Sequence, residues 1–406
     1  MKTLLMILAV AGIALAQPAP SSYIGAGGCA SSNCHGGTRP LAETDSRILG
    51  NEYATWSVTD KHSRAYKVLE EARAKRMGEV LQLADVARDR RCTVCHVAGS
   101  PEKTRSDGVA CEACHGPAEK WLGPHTRPNS HAASVAAGMI DTKNLETRAK
   151  TCLACHLGTG DQVVDHELIA AGHPDLAFEL DTFTYGEPTH HRDPKPSAND
   201  AMPRVRAWAV GQMQALAGGM RLLEAHAEKS WPEFSDLECY QCHHDLRADS
   251  WRIQRGYDGR RPGNWQVNLA RFAAARELVS IAAPDQFAAF EADMTRVMKA
   301  VESGPGIALA AQTMERLADG LSAHFLTQNF DRGVAEGVLR SMGRDIRRIA
   351  DSGVNAAEQA TMTLDALGAA LGRKQDAVAP LYDYLEHPSQ YKAAEFVALW
   401  SKAAGE

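Results

Sequence analysis

Residues 111–115 read Cys111-Glu-Ala-Cys114-His115, and this five-residue pattern decides how the chain is interpreted. Three further stretches repeat it at the same spacing, and a fifth has two extra residues between its cysteines but keeps the histidine. The cysteine pairs are Cys29 and Cys34, Cys92 and Cys95, Cys111 and Cys114, Cys152 and Cys155, and Cys239 and Cys242; the histidines that follow them are His35, His96, His115, His156 and His243. The five stretches use all ten cysteines of the chain.

A cysteine pair with this spacing and a histidine directly behind it is the attachment signature of c-type haem. Each thiol adds to one vinyl group of the porphyrin, so the two sulfurs must lie about one helical turn apart. The adjacent histidine then faces the iron and supplies an axial nitrogen. The sequence therefore predicts five covalently attached haem c groups, the first of them at the wider Cys29–His35 motif.

Three other uses of such cysteines were weighed. Zinc sites combine two Cys-x-x-Cys units, but the histidine directly after the second cysteine has no role in them. Disulfides suit an exported chain with an even number of cysteines, yet they do not require that histidine. A thioredoxin-like redox motif needs a βαβ context, which the sequence does not show. The haem interpretation explains the histidine in all five places.

A haem iron needs a second axial ligand or an open position for substrate, so some of the eleven other histidines are candidate ligands. His62 lies in a segment whose apolar positions recur with helical spacing, and it is favoured as a ligand over a surface histidine. His125 follows a Gly-Pro pair that turns the chain sharply. His166 and His173 are seven residues apart, which would place both on one face of a helix over 161–171.

His190 and His191 lie in a Pro-rich loop, and we expect one of them, His191, to be a ligand while the other faces solvent. His244 follows a motif histidine and points away from that iron, although it can reach another. His226 is as much a packing residue as a ligand in this pattern, and His324 and His387 lie in Cys-free sequence and are not expected to bind iron. The candidate set also contains His131, and Met139 or Met202 is a less favoured axial ligand, because methionine on a helix more often packs.

The first sixteen residues predict export. They combine Lys2, an apolar run over 4–10 and a small-residue site at Ala14-Leu15-Ala16, which is typical of a secretory signal peptide cleaved after Ala16. The alternative, an N-terminal membrane anchor, needs about 20 apolar residues, and Pro18 and Pro20 interrupt the stretch too early. No later segment is apolar enough to span a bilayer, so the mature protein is expected in the periplasm or outside the cell.

The predicted fold class is mainly α, with a loop-rich multihaem cytochrome domain and a helical C-terminal region. A 3.6-residue apolar stripe predicts a helix from Pro203 to Lys229, and Phe287 to Val301 form another. Further helices are predicted at about 305–325, 329–350, 353–372 and 388–403. We divide the chain into a signal peptide (1–16), a pentahaem domain (17–265) and a helical bundle-like region (266–406).

Composition excludes several classes. A hydrophobic content of 44% and a charged content of 23% exclude wholesale disorder and a multi-span membrane protein. With 50 acidic against 44 basic residues, nucleic acid is not an expected partner. Loss of Lys2 and the addition of five haems with ionised propionates take the formal charge from -6 to about -12. Redox partners with positive patches are therefore expected, with salt-sensitive association.

Two groups of residues resemble the cytochrome c-554 family. The first is Asp107-Gly-Val-Ala-Cys-Glu-x-Cys-His-Gly-Pro, and the second is Ala-Ala-Gly-His173-Pro-x-Leu-x-Phe-Glu; both follow Trp56-Ser-x-x-x-x-His62 in the chain. The resemblance covers roughly 23–250, and the Trp231 to Leu246 segment is similar to pentahaem relatives of that group. It implies a mostly helical structure, stacked haem pairs and periplasmic electron shuttling, with His62, His125 and His173 as distal ligands and His166 next.

Three functions follow as hypotheses. The leading one is electron transfer through closely spaced bis-His haems, whose ligation without methionine favours low potentials. The rival is an enzyme that converts nitric oxide, hydroxylamine or nitrite at one pentacoordinate haem. A third is a subunit of a larger cytochrome assembly, with the C-terminal helices as its docking surface.

Overall fold

A computed structural model describes most of the chain after its first twenty residues. The described ranges are 21–42, 47–99, 104–192, 196–197, 200–243, 247–248 and 263–405. The predicted signal peptide (1–16) and His244 lie outside these residues, as does part of the Pro-rich loop after Arg192. The prediction of export therefore stays a prediction.

The described residues are mainly α-helical, which confirms the predicted fold class. Within these ranges, β-structure is limited to isolated bridges such as Leu237 with Val267. Short helices separated by loops make up residues 21–192. They are α1 (Glu52–Thr59), α2 (Ala72–Val80), α3 (Arg90–His96), α4 (Cys111–His115), α5 (Leu122–His125), α6 (His131–Ala136), α7 (Leu145–His156), α8 (His166–Ala170) and α9 (Leu180–Gly186).

Longer helices follow from residue 203 onward. They are α10 (Pro203–Lys229), α11 (Ala270–Ala282), α12 (Phe287–Ser303), α13 (Ile307–Thr327), α14 (Arg332–Asp351), α15 (Val354–Ala370), α16 (Ala379–Leu385) and α17 (Ala393–Ala404). The apolar stripes locate α10 and α12 to α15 within a few residues. The helix expected over 388–403 begins only at Ala393, because Pro388–Gln390 forms a single 3-10 turn. Helices α11 and α16 were not predicted.

Helix α10 is the centre of the molecule's apolar core. Pro203 occupies its first turn, where the missing N–H costs no hydrogen bond. Trp208, Met213 and Leu216 have no exposed surface. One continuous cluster of buried side chains runs from Val205 to Trp400. Helix α10 therefore shares its core with the helices after residue 265, although the domain boundary predicted there remains a prediction.

The apolar core of residues 21–192 is divided into small clusters. One consists of Ala26, Ala98 and Ala110, and another of Leu69, Ala74 and Val86. These clusters bury few large side chains, so they contribute less hydrophobic stabilisation than the cluster around α10. The loops of this half are positioned instead by helix caps and polar contacts.

Candidate haem-binding sites

Four of the five motif histidines face a second imidazole ring from a distant part of the chain. The ring centroids lie 6.3 Å apart for His35 and His125, 6.1 Å for His156 and His62, 6.4 Å for His96 and His173, and 6.1 Å for His243 and His166. The structure thus brings four of the sequence-predicted distal candidates to four different motifs.

The spacing of these ring pairs fits an iron atom between them. A metal–imidazole bond of about 2.0–2.1 Å on each side places two ring centroids roughly 6 Å apart. Rings in direct contact would be closer, as in the stacking of Phe178 on His156 at 5.1 Å. The donor set of each pair, two imidazoles beside two cysteines, is that of a bis-His c-type haem.

Hydrogen bonds at Nδ1 hold many of these rings. His35 Nδ1 lies 3.0 Å from a carboxylate oxygen of Glu52, and His62 Nδ1 lies 3.1 Å from Asp60. Backbone carbonyls accept in the other cases: Ala65 for His96 at 2.8 Å, Leu122 for His125 at 2.5 Å and Pro174 for His173 at 2.8 Å. A bond at Nδ1 fixes the tautomer and leaves Nε2 as the nitrogen available to a metal.

Electrostatics favour the neutral form at several motif histidines. Burial lowers the pKa of His156 to about 4, and it lowers the pKa of His96 as well. At His35 the hydrogen bond to Glu52 outweighs burial and raises the pKa. Burial alone would raise the pKa of Glu52, but hydrogen bonds from His35 and from backbone N–H groups bring it down to about 2. Since a metal binds the unprotonated nitrogen, buried histidines are ready ligands.

Three of the four regular motifs lie at the ends of α-helices, and the fourth begins with a 3-10 turn over Cys239–Gln241. Helices α3, α4 and α7 each end on the motif histidine, so the two cysteines of the motif are one turn apart on a helix. Asp89 caps α3 by accepting from Arg91 N–H at 2.8 Å, and Asn144 caps α7 by accepting from Thr147 N–H at 3.0 Å. These caps are signals that the sequence carries and that were not used in predicting the motifs' positions.

The wider first motif forms a turn instead of a helix. The N–H of Gly36 donates to the carbonyl of Ser31 at 2.9 Å and closes this turn. A Cβ atom on Gly36 would lie 1.9 Å from the carbonyl oxygen of Ala30, so no larger residue fits there. The two extra residues are accommodated in this turn, and His35 still faces His125 at a spacing like that of the other pairs.

The Asp107-Gly-Val-Ala stretch holds the loop that carries His62. Gly108 has a φ of 63°, and a Cβ there would lie 2.7 Å from the carbonyl oxygen of His62. The N–H of Val109 donates to that same carbonyl at 3.0 Å, and the indole of Trp56 donates to Val109 O at 3.0 Å. Gly108 is therefore required by the close approach of two backbones beside a candidate ligand.

Glu112, inside the third motif, anchors the chain that leads to the first. Its carboxylate accepts from the N–H groups of Gly25 at 2.8 Å and of Ala118 at 2.7 Å, and it is only 3% exposed. Asp107 accepts from Ala26 N–H at 3.0 Å. These acidic residues accept hydrogen bonds from backbone N–H groups. The sequence analysis missed this role because it considered only haem ligands.

The helix predicted over 161–171 is wrong in its extent. Helix α8 spans only His166–Ala170, since Asp165 caps it and Gly172, with a φ of 114°, ends the turn after it. His166 and His173 consequently do not share a helical face. They point to different motifs, His166 to His243 and His173 to His96. Arg73 donates from Nε to the carbonyl of Gly172 at 3.1 Å and steadies the turn before His173.

His115 differs from the other motif histidines. Burial lowers its pKa to about 4, and the charges of His190, His35 and His191 lower it further. His190 and His191 have rings 5.2 Å apart, and His190 Nδ1 lies 3.3 Å from the carbonyl oxygen of Pro188. Both loop histidines thus lie in the neighbourhood of His115. The expectation that His191 is the ligand and His190 the solvent-facing residue stays untested.

Other histidines have different partners. His131 uses Nε2, the nitrogen that a ligand would need, to contact Asp141 at 3.1 Å. His226 contacts Asp236 through Nδ1 at 2.8 Å. Neither His226, His324 nor His387 forms a ring pair with a motif histidine within the described ranges.

Thiols of different motifs lie close together. Cys111 is close enough to Cys29 to raise the pKa of the Cys29 thiol, ahead of burial, and Cys155 acts in the same way on Cys95. Burial raises the pKa of Cys114 to about 12, with Cys152 as the next cause. These shifts describe the unattached side chains, because a thioether has no thiol proton. They indicate that cysteines of the first four motifs lie close to one another.

Three kinds of feature are not found in the part of the chain that the structure describes. All ten cysteines are free of disulfides there. No set of three or more Cys, His, Asp or Glu side chains converges there in an arrangement that holds a metal ion by itself. No helix among the described residues combines the length and apolarity needed to cross a membrane.

Comparisons with known proteins agree with this donor set. Residues 29–116, which contain the first three motifs, match the family described as cytochrome c554 and c-prime. A curated relative, cytochrome c-554 of Nitrosomonas europaea, is 28% identical over 121 residues, which is 25% of this chain and 51% of the relative. The chain thus spans about half the length of the relative that it matches. No solved structure matches.

The motifs and their paired imidazoles define a c-type cytochrome. Both matches are to the cytochrome c-554 family, to which the matched part of this chain is similar. The cysteine pairs and the facing histidines are the residues that would hold haem c.

Proposed function

We propose that this chain carries electrons between redox proteins through five haem c groups, one at each cysteine pair. The observation that carries the proposal is the set of four imidazole pairs with ring centroids 6.1–6.4 Å apart. Each bound haem supplies an iron that accepts one electron from a donor and gives it to the next acceptor. The chain's own residues attach, ligate and orient these groups.

Both axial positions at four motifs are filled by histidine in this proposal. The pairs are His35 with His125, His156 with His62, His96 with His173, and His243 with His166. Filled axial positions leave no place for a substrate on the iron, and His/His ligation without methionine favours low potentials. Such centres suit electron transfer better than catalysis.

Close packing of the motifs supports a continuous path. The Cys29 and Cys111 thiols influence each other directly, and so do those of Cys95 and Cys155. The fifth motif is linked to this group through Arg91, beside Cys92, whose guanidinium lies 2.6 Å from Asp165, the residue before His166. Electrons entering at one motif thus have neighbouring centres along one connected structure.

A second candidate function rests on His115. It is the motif histidine without a facing ring at the spacing of the other four, within the described residues. If neither His190 nor His191 ligates the iron bound by His115, the open axial position would bind a small nitrogen species such as nitric oxide, hydroxylamine or nitrite. The Cys111–His115 site is where this chemistry would occur.

Electron paramagnetic resonance of the oxidised protein separates the two functions. An electron carrier with all axial positions filled gives low-spin ferric signals and binds carbon monoxide slowly after reduction. A high-spin ferric signal with rapid carbon monoxide binding would favour the enzyme. Loss of that signal in a variant with Cys111→Ala and Cys114→Ala, which cannot attach the haem, would assign it to the third motif.

Export to the periplasm or cell exterior is part of the proposal, because residues 1–16 have the pattern of a secretory signal peptide. N-terminal sequencing of the purified holoprotein checks it. Gln17 as the first residue supports cleavage after Ala16, whereas Met1 would contradict it.

A further inference from the structure

A cavity of about 110 Å³ lies between the haem-binding half of the chain and the helices after residue 265. Apolar side chains of α10, among them Met220 and Leu223, form one wall. Polar groups converge on it from other elements: His226 of α10, Arg271 of α11 and Glu358 of α15, together with Asp175 and Asp236. The cavity is thus lined in part by the Cys-free helices, for which the proposed function has no role.

The fifth motif lies beside this cavity. Burial raises the pKa of the Cys239 thiol to about 12, and Asp175 is the next cause, with Glu358 also contributing. Cys239 follows a short segment that pairs with the approach to α11, in which the N–H of Asn268 donates to Asp236 O at 2.9 Å. The segment before α11 contacts the motif itself, because the N–H of Gln266 donates to Gln241 Oε1 at 2.9 Å, and Arg271 follows five residues later on the first turn of α11.

Arg271 has a guanidinium with donors to spare. It donates from Nη1 to the carbonyl of Phe178 at 3.1 Å and from Nη2 to the carbonyl of Leu176 at 3.2 Å. A guanidinium carries five N–H donors, so others remain for a further acceptor. Burial lowers the pKa of Arg271, while Asp175 and Glu358 oppose that effect. An arginine in such a place is stabilised by a carboxylate that it binds directly.

Two of the acidic side chains around the cavity already have other hydrogen-bond partners. Asp236 is paired with His226 at 2.8 Å, and Asp175 accepts from the side chain of Asn355. Burial raises the pKa of Glu358 to about 7, with Asp175 as the second cause. Among the lining residues that the structure describes, Arg271 is the one Arg or Lys side chain.

We propose that Arg271 binds a propionate carboxylate of the haem attached at Cys239 and Cys242. The inference rests on the proposed haem at this motif and assigns the Cys-free helical region a role in that haem's site. A propionate is a carboxylate that is costly to bury without a cation or hydrogen-bond donors, and Arg271 supplies both. The helical region then helps to set the potential of the fifth centre.

The charge of Arg271 should affect one haem selectively. A cation near the iron destabilises the ferric state, which carries one more positive charge than the ferrous state. Its removal leaves the propionate uncompensated and lowers the midpoint potential of that haem. Removal of a carboxylate from the same cavity has the opposite sign. Glu358, which faces Asp175, Asp236, His226 and Arg271 across the cavity, is ionised above about pH 7.

The test is a spectroelectrochemical titration at pH 8 of the holoprotein and three variants. Arg271→Gln should lower one midpoint potential, and Glu358→Gln should raise the same one. Arg276→Gln is the matched control, because Arg276 is on the same helix but pairs with Glu291 at 2.6 Å and with Asp345 at 2.7 Å. It should leave that potential unchanged.

Unchanged potentials in both Arg271→Gln and Glu358→Gln would overturn the proposal, and so would an equal shift in Arg276→Gln. If Arg271→Gln does not accumulate, Glu358→Gln decides alone, since it removes a buried carboxylate and should fold. The mass of each protein is measured first. A wild-type mass that lacks a fifth haem contradicts the proposed function. Five haems whose midpoint potentials are the same in wild type, Arg271→Gln and Glu358→Gln contradict only the role of Arg271.

Discussion

The imidazole rings of His35 and His125 lie 6.3 Å apart, with their planes inclined by only 15°. His35 belongs to a turn near the start of the described chain, and His125 is the last residue of helix α5. Nothing in the local sequence of either requires the other. Their facing arrangement is explained if both bind one iron, with Glu52 behind His35 and Leu122 O behind His125 orienting the rings.

Replacement of His125 by Ala should open the iron at the first motif. We expect a new high-spin ferric signal and faster carbon monoxide binding after reduction, because one axial nitrogen is lost. His131→Ala is the control, since His131 contacts Asp141 through Nε2. If His125→Ala leaves the spectrum unchanged, the pairing of His35 with His125 is wrong.

Glu52→Gln should raise the midpoint potential of the same haem, on the order of tens of millivolts. The carboxylate accepts from His35 Nδ1 at 3.0 Å and increases the basicity of the ligand, which stabilises ferric iron. A redox titration measures the shift. Glu79→Gln, which changes an exposed carboxylate, should have no effect. A lowered or constant potential in Glu52→Gln would contradict this account of the first motif.

Gly108→Ala should disturb the His62 loop. The new Cβ would lie 2.7 Å from His62 O in a backbone with a φ of 63°. We expect lower thermal stability together with a high-spin signal from the haem that His62 ligates. Gly304→Ala is a matched control, because Gly304 also has a positive φ, 90°, but nothing lies within 4 Å of its Cβ position. The control should lose stability without the spectral change, and identical spectra for both variants would argue against His62 as a ligand.

The free energy of unfolding should fall as the pH rises, because Glu358 loses a proton that the folded state binds. Burial raises the pKa of this carboxyl to about 7 in the folded protein, from a usual 4.5. The folded state therefore binds the proton more tightly, and this stabilisation is complete below about pH 4.5 and lost as pH rises through about 7. Its size is about 3 kcal/mol.

Thermal unfolding followed by circular dichroism at pH 5 and pH 8 measures this effect. Glu358→Gln should reduce the difference in unfolding temperature between pH 5 and pH 8 relative to wild type. Glu228→Gln, at an exposed position of α10, should keep the wild-type difference. Equal slopes in wild type and Glu358→Gln would show that the carboxyl does not titrate between these values.

The sequence allowed prediction of the features that depend on local periodicity or covalent chemistry. The stripe of Trp208, Met213 and Leu216 predicted α10, and the cysteine spacing predicted the haem signature that the family match supports. Distal histidines were predicted as a set, but not their partners. Pairings such as His96 with His173 depend on how loops return, and loop paths are set by caps and backbone contacts at Asp165, Gly172 and Gly108.

The contribution of the C-terminal helices was not predictable for a similar reason. Arg271 carries no motif, and it follows the segment whose Val267 pairs with Leu237, just before the fifth motif. The helix expected over 161–171 failed because a seven-residue spacing was interpreted as one helical face, although Gly172 marked an end.

The mass of the purified, exported holoprotein under denaturing conditions tests the central claim most directly. Five covalently attached haems predict the mass of the chain from Gln17 onward plus five haem groups, with a visible absorbance spectrum that survives acid–acetone extraction. The mass of the bare polypeptide, or colour that the extraction removes, would contradict covalent attachment and with it the assignment of all five cysteine pairs.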